Sequence, residues 1–337
     1  MSIIVNGGVN TLEITIPPLN SAIDRLADKH ENHPGSLFLP QLYLYPIKSL
    51  RGAAVSSAEI TKQGFQYDRR FMLLKVNPNG FANMHIVHHY EMALFHQEIE
   101  KPNPMKGVKG KIKVTYCPPG KSSKTLEVPL QPDTTNLESI QVTMHRSSTQ
   151  AYNMGTEFNR WFSDCLGYDV VLAYIGDNTR EVLGNLAPGA NGQSSSWISS
   201  ITSSLPVLGS DTEKASIGFS DCAPFLVVTE TSLDDVSARL SAGEKMDITK
   251  FRPNIVVGSS ELGAYEEDFW GELTINNETK IDLTANCGRC MSINVDYRTG
   301  KAGEGEMGNV LKKLMKDRRV DAGAKYSPGR YYLEGIL

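Results

Sequence analysis

The tetrapeptide Cys287-Gly288-Arg289-Cys290 lies between Lys280-Ile281-Asp282-Leu283-Thr284-Ala285 and Met291-Ser292-Ile293-Asn294-Val295-Asp296, closed by the turn signal Tyr297-Arg298-Thr299-Gly300. Both flanks alternate apolar and polar residues, a period of two that predicts strand, loop, strand. The thiols are therefore expected on a strand connection. A thioredoxin-like C-x-x-C needs a helix whose N-terminus stabilises the thiolate, and no helical spacing follows Cys290. Four uses of the pair stay open on these residues alone. A structural zinc ion needs four ligands, and no second Cys or His pair follows at finger-like spacing. The others are a redox disulfide, two ordinary thiols beside a loop, and one thiolate offered to a soft metal with Arg289 supplying positive charge.

Working outward, 337 residues give room for about two domains at roughly 150 residues each. With 40% hydrophobic and 21% charged residues the composition is that of a folded core. The net charge of -4 gives no global electrostatic case for nucleic acid or an anionic membrane. No apolar run reaches the roughly 18 residues of a membrane span, so no transmembrane segment is expected. Five scattered cysteines (Cys117, Cys165, Cys222, Cys287, Cys290) and an N-terminus without a charged-then-apolar signal pattern predict a reducing, cytoplasmic location.

The chain divides into four segments. Residues 1–36 hold one alternating piece, Leu12-Glu13-Ile14-Thr15-Ile16, and a short helix-like piece from Ser21 to His30, expected as an extension that lies outside the main body or packs on it. Residues 37–183 read as β: strands are predicted at Gln41–Tyr45, Phe71–Val76, Phe81–Ile86, Lys111–Tyr116, Thr125–Leu130 and Ile140–His145. One clear helix runs from Thr156, as N-cap, to Gly167, with Phe158, Trp161, Phe162, Cys165 and Leu166 in one apolar stripe. Residues 184–212, rich in Pro, Gly, Asn and Ser, read as a long loop or linker. Residues 213–337 carry predicted strands at Pro224–Thr229 and Asn254–Gly258, a helix Ser232–Leu240 with Ser232 and Asp235 resembling a capping box, the hairpin Glu272–Thr284, the Cys loop and a helix Asn309–Asp317. Short strands separated by turn residues make the fold mostly β with a few helices (α+β), of barrel or sandwich type.

Four basic residues fall at predicted strand ends or loops: Lys48, Arg69, Arg252 and Arg289. Singly each reads as a solvated charge. Together they offer the planar forks and the mobile point charge that bind phosphate oxygens. His85, His88, His89 and His96 invite a metal reading, but no carboxylate ligand stands beside them, and His85 and His89 share a face only on an unbroken strand; surface or structural roles are expected. No P-loop, G-x-G-x-x-G or nucleophile elbow occurs.

Tyr45-Pro46-Ile47-Lys48-Ser49-Leu50, Gly64 to Arg69, Phe219-Ser220-Asp221-Cys222-Ala223-Pro224, Phe251-Arg252-Pro253-Asn254-Ile255, and Cys287-Gly288-Arg289-Cys290 with Val295-Asp296 through Gly300 occur in the order of a MOSC-domain protein. The chain resembles the amidoxime-reducing branch of that family from about Leu37 to its end. The resemblance implies an N-terminal β-barrel domain followed by a MOSC β-barrel domain. It also implies a molybdenum cofactor with a molybdopterin dithiolene, and Cys290 as the protein ligand to the metal. Matching positions imply that Lys48, Ser49, Arg69, Asp221, Cys222, Arg252, Asn254, Gly288 and Arg289 hold the pterin and its phosphate. The implied activity is reduction of small N-hydroxylated molecules of the amidoxime type. Its electrons would come from cytochrome b5 and NADH-cytochrome b5 reductase, since the chain has no flavin or nicotinamide fingerprint of its own. The alternatives are a sulfur carrier with a persulfide on Cys290, and a cofactor-binding protein without turnover.

Several stretches depart from the family pattern. Cys222 and Ala223 stand where relatives often carry hydroxyls, so part of the phosphate contact comes from backbone N–H groups or is missing. Ile86-Val87-His88-His89-Tyr90 replaces a stretch that commonly holds an arginine. Tyr326-Ser327-Pro328-Gly329-Arg330-Tyr331 reads as a shortened ending, and no membrane anchor is expected before the barrel.

Overall fold

The computed structural model describes residues 2–4, 12–15, 37–182, 216–318 apart from 242 and 276–278, and 331–332. Within them the chain is mostly strand, with three short α-helices. Two β bodies share residues from distant parts of the sequence.

The first body is built from the N-terminal half. Five strands pair in the order Glu138–Met144, Ser147–Asn153, Val170–Tyr174, Phe71–Asn77, Gly80–Asn83, and three more in the order Lys124–Pro129, Lys111–Tyr116, Phe95–Glu100. All of these neighbours are antiparallel. One core joins the two sheets: Phe71, Leu73 and Leu172 meet Phe95, Ile112, Val114 and Val128. The helix Thr156–Leu166 buries its predicted stripe against that core, Phe162 and Cys165 included. It begins one residue earlier than its sequence signal: Gly155, at φ 93°, is the N-cap and Thr156 is already helical. Gly167, at φ 82°, ends it as expected, because glycine alone enters the left-handed region without a Cβ penalty.

The second body is assembled from both ends of the chain. Phe38–Leu44 pairs antiparallel with Ala53–Val55 on one side and with Ile255–Gly258 on the other; Ile255–Gly258 in turn runs parallel to Val227–Thr229. Ile255–Gly258 is buried along its whole length, as a continuous apolar run requires. Leu42, Leu44, Ile60 and Phe65 from the first half pack with Phe225, Val227, Ile255, Leu273 and Ile281 from the second. Fully burying one such side chain is worth about 1.5–3 kcal/mol, so this shared core fastens residues near 40–65 to residues near 225–281. Those stretches carry or border the motifs, with the Cys loop following Ile281.

Several local expectations are corrected. The described pieces of segment 1–36 pack on the body, Ser2–Ile4 pairing with Thr279–Ala285 and Leu12–Thr15 with Ser57–Thr61. The run after Cys290 is not a strand but a single 3-10 turn, Met291–Asn294, followed by Val295–Asp296 paired with Lys301–Ala302. Asn294 explains this. Its side-chain oxygen accepts from Leu311 N at 3.0 Å and its carbonyl from Gly303 N at 2.8 Å, which pulls an expected outward-facing position inside. The helix placed at Ser232–Leu240 is Glu230–Ala238, capped by Thr229, whose hydroxyl accepts from Ser232 N at 3.2 Å. Ser232 instead donates its own hydroxyl to the buried Glu267 at 2.6 Å. The last described helix is Val310–Leu314, after a 3-10 turn Met307–Asn309. His85–His89 forms a turn, with His88 N and His89 N both donating to His85 O, so these histidines share no strand face. The predicted piece Ser21–His30, the linker 184–212 and the stretch Tyr326–Arg330 lie outside the described residues.

Candidate functional site

The motifs that are far apart in sequence are tied together by hydrogen bonds. Tyr45 N donates to Asp68 Oδ1 at 2.7 Å, and Arg69 N donates to Tyr45 O at 2.9 Å, fastening the first motif to the second. Phe219 N donates to Arg69 O at 2.9 Å, which adds the third. Gly64 sits so close to Pro224 that a Cβ would stand 3.0 Å from its carbonyl, at a φ of +122° that other residues avoid. The fourth motif is joined through Asn254, fully buried. Its Oδ1 accepts from Arg69 Nη1 at 2.8 Å and from Leu226 N at 3.2 Å, and its Nδ2 donates to Tyr43 O at 3.2 Å. Arg252 Nη1 donates to Leu50 O at 2.9 Å, and Arg289 of the Cys loop donates through Nη2 to Phe251 O at 2.6 Å.

Two of the cations meet over Tyr45, which is fully buried, and Arg289 lies over Phe251. The guanidinium carbons of Arg252 and Arg69 lie 4.5 and 4.7 Å from the Tyr45 centroid. Lys48, itself buried, donates to Asp221 Oδ1 at 2.6 Å, and Arg69 pairs with Asp68 through Nη1. Among the described residues Arg252 and Arg289 have no carboxylate partner, and Arg252 Nη2, Arg289 Nε and the hydroxyls of Tyr45 and Tyr297 are buried polar atoms without a hydrogen-bond partner. An unpaired buried polar atom costs about 1–3 kcal/mol, so the set has unused hydrogen-bonding capacity and is short of negative charge. An anionic group with several oxygens answers both.

The charges respond accordingly. Burial pushes the Lys48 amine below the usual lysine range against the pull of Asp221, and Arg69 and Arg252 push it further down. Partial desolvation would raise the Asp221 carboxyl, whose side chain is still 56% exposed, yet Lys48 and a hydrogen bond from His145 hold it well below the ordinary range. Burial likewise opposes the Cys287 thiolate, and Arg289, whose Nη1 lies 3.1 Å from the sulfur, outweighs it and lowers the thiol. Cys287 is therefore tied to Arg289. Cys290 is different: it is exposed, in extended backbone at the head of the 3-10 turn, with its sulfur 3.1 Å from Ser292 Oγ. Among the described residues no group of three or more Cys, His, Asp or Glu gathers as a metal cage, so the ligand this loop offers is a single thiol.

Backbone strain marks the same place. Seven described residues other than glycine have positive φ, and Ser49, Tyr67, Arg69, Arg252, His145 and Arg146 all belong to these loops or touch them. Each such residue costs roughly 1–3 kcal/mol and persists where surrounding contacts enforce it. Of the predicted residues, Lys48, Arg69, Asp221, Arg252, Asn254 and Arg289 join this network. Ser49 is buried in the same loop, Gly288 is exposed on the two-residue strand Gly288–Arg289, and Cys222 is half-buried next to Asp221. That short strand pairs with Tyr331–Tyr332.

Sequence reading missed four participants. Asp68 carries Arg69 and the Tyr45 amide; Tyr45 is the platform for two guanidinium groups. Arg180, buried, donates to the carbonyls of Gly218, Met144 and Ser220 and so braces the loop that ends in Asp221. His145 places Nε2 3.0 Å from Asp221 Oδ1. Only Asp68, adjacent to Arg69, carried a local signal.

The fold and site define a two-body β protein with an exposed thiol on one loop and buried guanidinium groups that lack carboxylate partners among the described residues. Residues 36–169 match the MOSC N-terminal beta barrel domain and residues 214–334 the MOSC domain, and the chain belongs to the MOSC family. Mitochondrial amidoxime-reducing component 1 of Mus musculus is 30% identical over 275 residues, covering 81% of this chain and 69% of the relative. Mitochondrial amidoxime reducing component 2 of Macaca fascicularis is 28% identical over 276 residues, covering 81% and 70%. Molybdenum cofactor sulfurase of Arabidopsis thaliana is 25% identical over 283 residues, again 81% of this chain but only 30% of the relative.

Proposed function

We propose that this chain is a molybdenum-cofactor enzyme that reduces N-hydroxylated small molecules of the amidoxime type. The observation that carries the reading is the pairing of an exposed Cys290 thiol with a buried cation set in which Arg252 and Arg289 lack carboxylates and two of their donors lack acceptors. A pterin phosphate, as a dianion with several oxygens, matches that deficit. The names of the amidoxime-reducing relatives, aligned over 81% of the chain, support the same reading. Lys48, Ser49, Arg69, Asn254, Arg252 and Arg289 would hold the phosphate and pterin, Asp221, Cys222 and Gly288 would flank them, and Cys290 would ligate the metal. When bound, the cofactor supplies the two-electron exchange and accepts the oxygen atom.

The overall reaction takes two electrons and two protons: the N–O bond breaks, nitrogen gains hydrogen, and the oxygen leaves as water. Cytochrome b5 and NADH-cytochrome b5 reductase are the proposed electron source. The five cysteines, none of them in a disulfide, support a reducing, cytoplasmic setting, and no described helix is long and apolar enough to cross a membrane. The test is NADH oxidation dependent on benzamidoxime, with the b5 chain supplied and the protein purified from a host that makes the cofactor. Turnover that disappears in Cys290→Ala supports the reading; bound molybdenum without turnover makes this a storage protein.

A second reading has its own observation. The sulfurase relative aligns over the same share of this chain, and an accessible thiol such as Cys290 also suits a persulfide carrier. Metal-free protein with a labile sulfane sulfur on Cys290 would favour it.

A further inference from the structure

Reduction of an N–O bond consumes protons, and a pocket lined by guanidinium groups does not provide them, because arginine keeps its protons. The other groups in the site separate clearly by access to water. Lys48 faces Asp221 at 2.6 Å but is buried. His145 faces the same carboxylate oxygen at 3.0 Å with about a third of its side chain, 36%, exposed. Asp221 itself is half-exposed at 56%. The imidazole therefore stands between solvent and a carboxylate that already contacts a buried cation of the site.

This contact is imposed by the fold. His145 and Arg146 form the turn between Glu138–Met144 and Ser147–Asn153, both at positive φ, 49° and 66°. Asp221 comes from the other family domain, 76 residues on, on a loop braced by Arg180, which also donates to Met144 O, next to His145. Two chain segments are thus pinned so that one imidazole meets one carboxylate. The groups that face them are Lys48, His85, Arg180 and Cys222, with Arg146 adjacent.

We propose that His145 and Asp221 are the proton-supplying dyad of this site, His145 delivering solvent protons toward the reacting N–O group while Asp221, paired with Lys48, orients the imidazole. The role rests on the amidoxime-reduction reading above. Per turnover the dyad delivers two protons, one to nitrogen and one to the departing oxygen, while the haem donor supplies the two electrons; His145 is restored from solvent after each transfer. His85 is poorly suited to the same task, since burial and Lys48 lower its pKa to about 4 and leave it neutral.

The test uses the full chain loaded with its cofactor, as His145→Asn and His145→Gly. Both residues accept a φ near 49°, so the turn is retained. A positioned proton donor is worth about 100-fold or more in rate. The expected result is a loss of that order in kcat for benzamidoxime, with KM and molybdenum content unchanged. Added imidazole should restore His145→Gly but not Asp221→Ala. An unaltered kcat in His145→Asn overturns the dyad alone. A wild-type chain that carries molybdenum but does not reduce benzamidoxime overturns the reduction reading and this role with it.

Discussion

Asn254→Ala removes one buried side chain that makes three hydrogen bonds: acceptor from Arg69 Nη1 at 2.8 Å, acceptor from Leu226 N at 3.2 Å, donor to Tyr43 O at 3.2 Å. A bond to a charged group is worth about 1.5–3 kcal/mol and a neutral one about 0.5–1.5. Two of the three share one oxygen, so they do not simply add. Asn254 is fully buried, which keeps water from replacing what is lost. The expected destabilisation is about 3–4 kcal/mol, read as a lower urea midpoint at constant slope. Asn254→Asp separates packing from chemistry: it keeps the acceptor for Arg69 but sets a carboxylate oxygen against Tyr43 O. A loss below about 1 kcal/mol in Asn254→Ala, at unchanged slope, would refute the claim that this amide holds the motifs together.

Two further outcomes are expected. His85 has a folded pKa of about 4 against 6.5 for the free side chain, so below pH 6.5 the unfolded chain takes the proton first. The stability it contributes is complete above pH 6.5 and is lost as the pH falls toward 4, and His85→Gln should flatten that part of a stability-against-pH curve. Arg252→Lys keeps the charge but not the planar fork that reaches Leu50 O and stacks on Tyr45, so molybdenum should be lost faster on dialysis than from wild type; equal retention counts against a phosphate role for this guanidinium.

Much of the site was legible because its chemistry is local: a thiol pair in a loop and cations at strand ends keep their character wherever the chain carries them. Helices and strands with a strong period were also legible, as the stripe from Phe158 to Leu166 and the strand Lys111–Tyr116 illustrate. What escaped is non-local. The alternation of Met291 to Asp296 predicted a strand, but the bonds of Asn294 to residues 303 and 311 override it. Ser147–Asn153, rich in Ser, Thr and Gln, hid a central strand because only Thr149 and Ala151 turn inward. His145 carries no pattern at all; a tight turn between two strands and a carboxylate 76 residues away give it its place. The sharing of one sheet by Phe38–Leu44 and Ile255–Gly258 is likewise a fact of long-range pairing that no window of sequence contains.

The most direct test is the metal content of the purified chain and of Cys290→Ala, both made in a host that supplies the molybdenum cofactor. Stoichiometric molybdenum in the first and its loss in the second is the expected result. Equal molybdenum in both proteins, or a metal-free wild-type chain whose Cys290 carries labile sulfur, would contradict the assignment of that thiol as the metal's ligand.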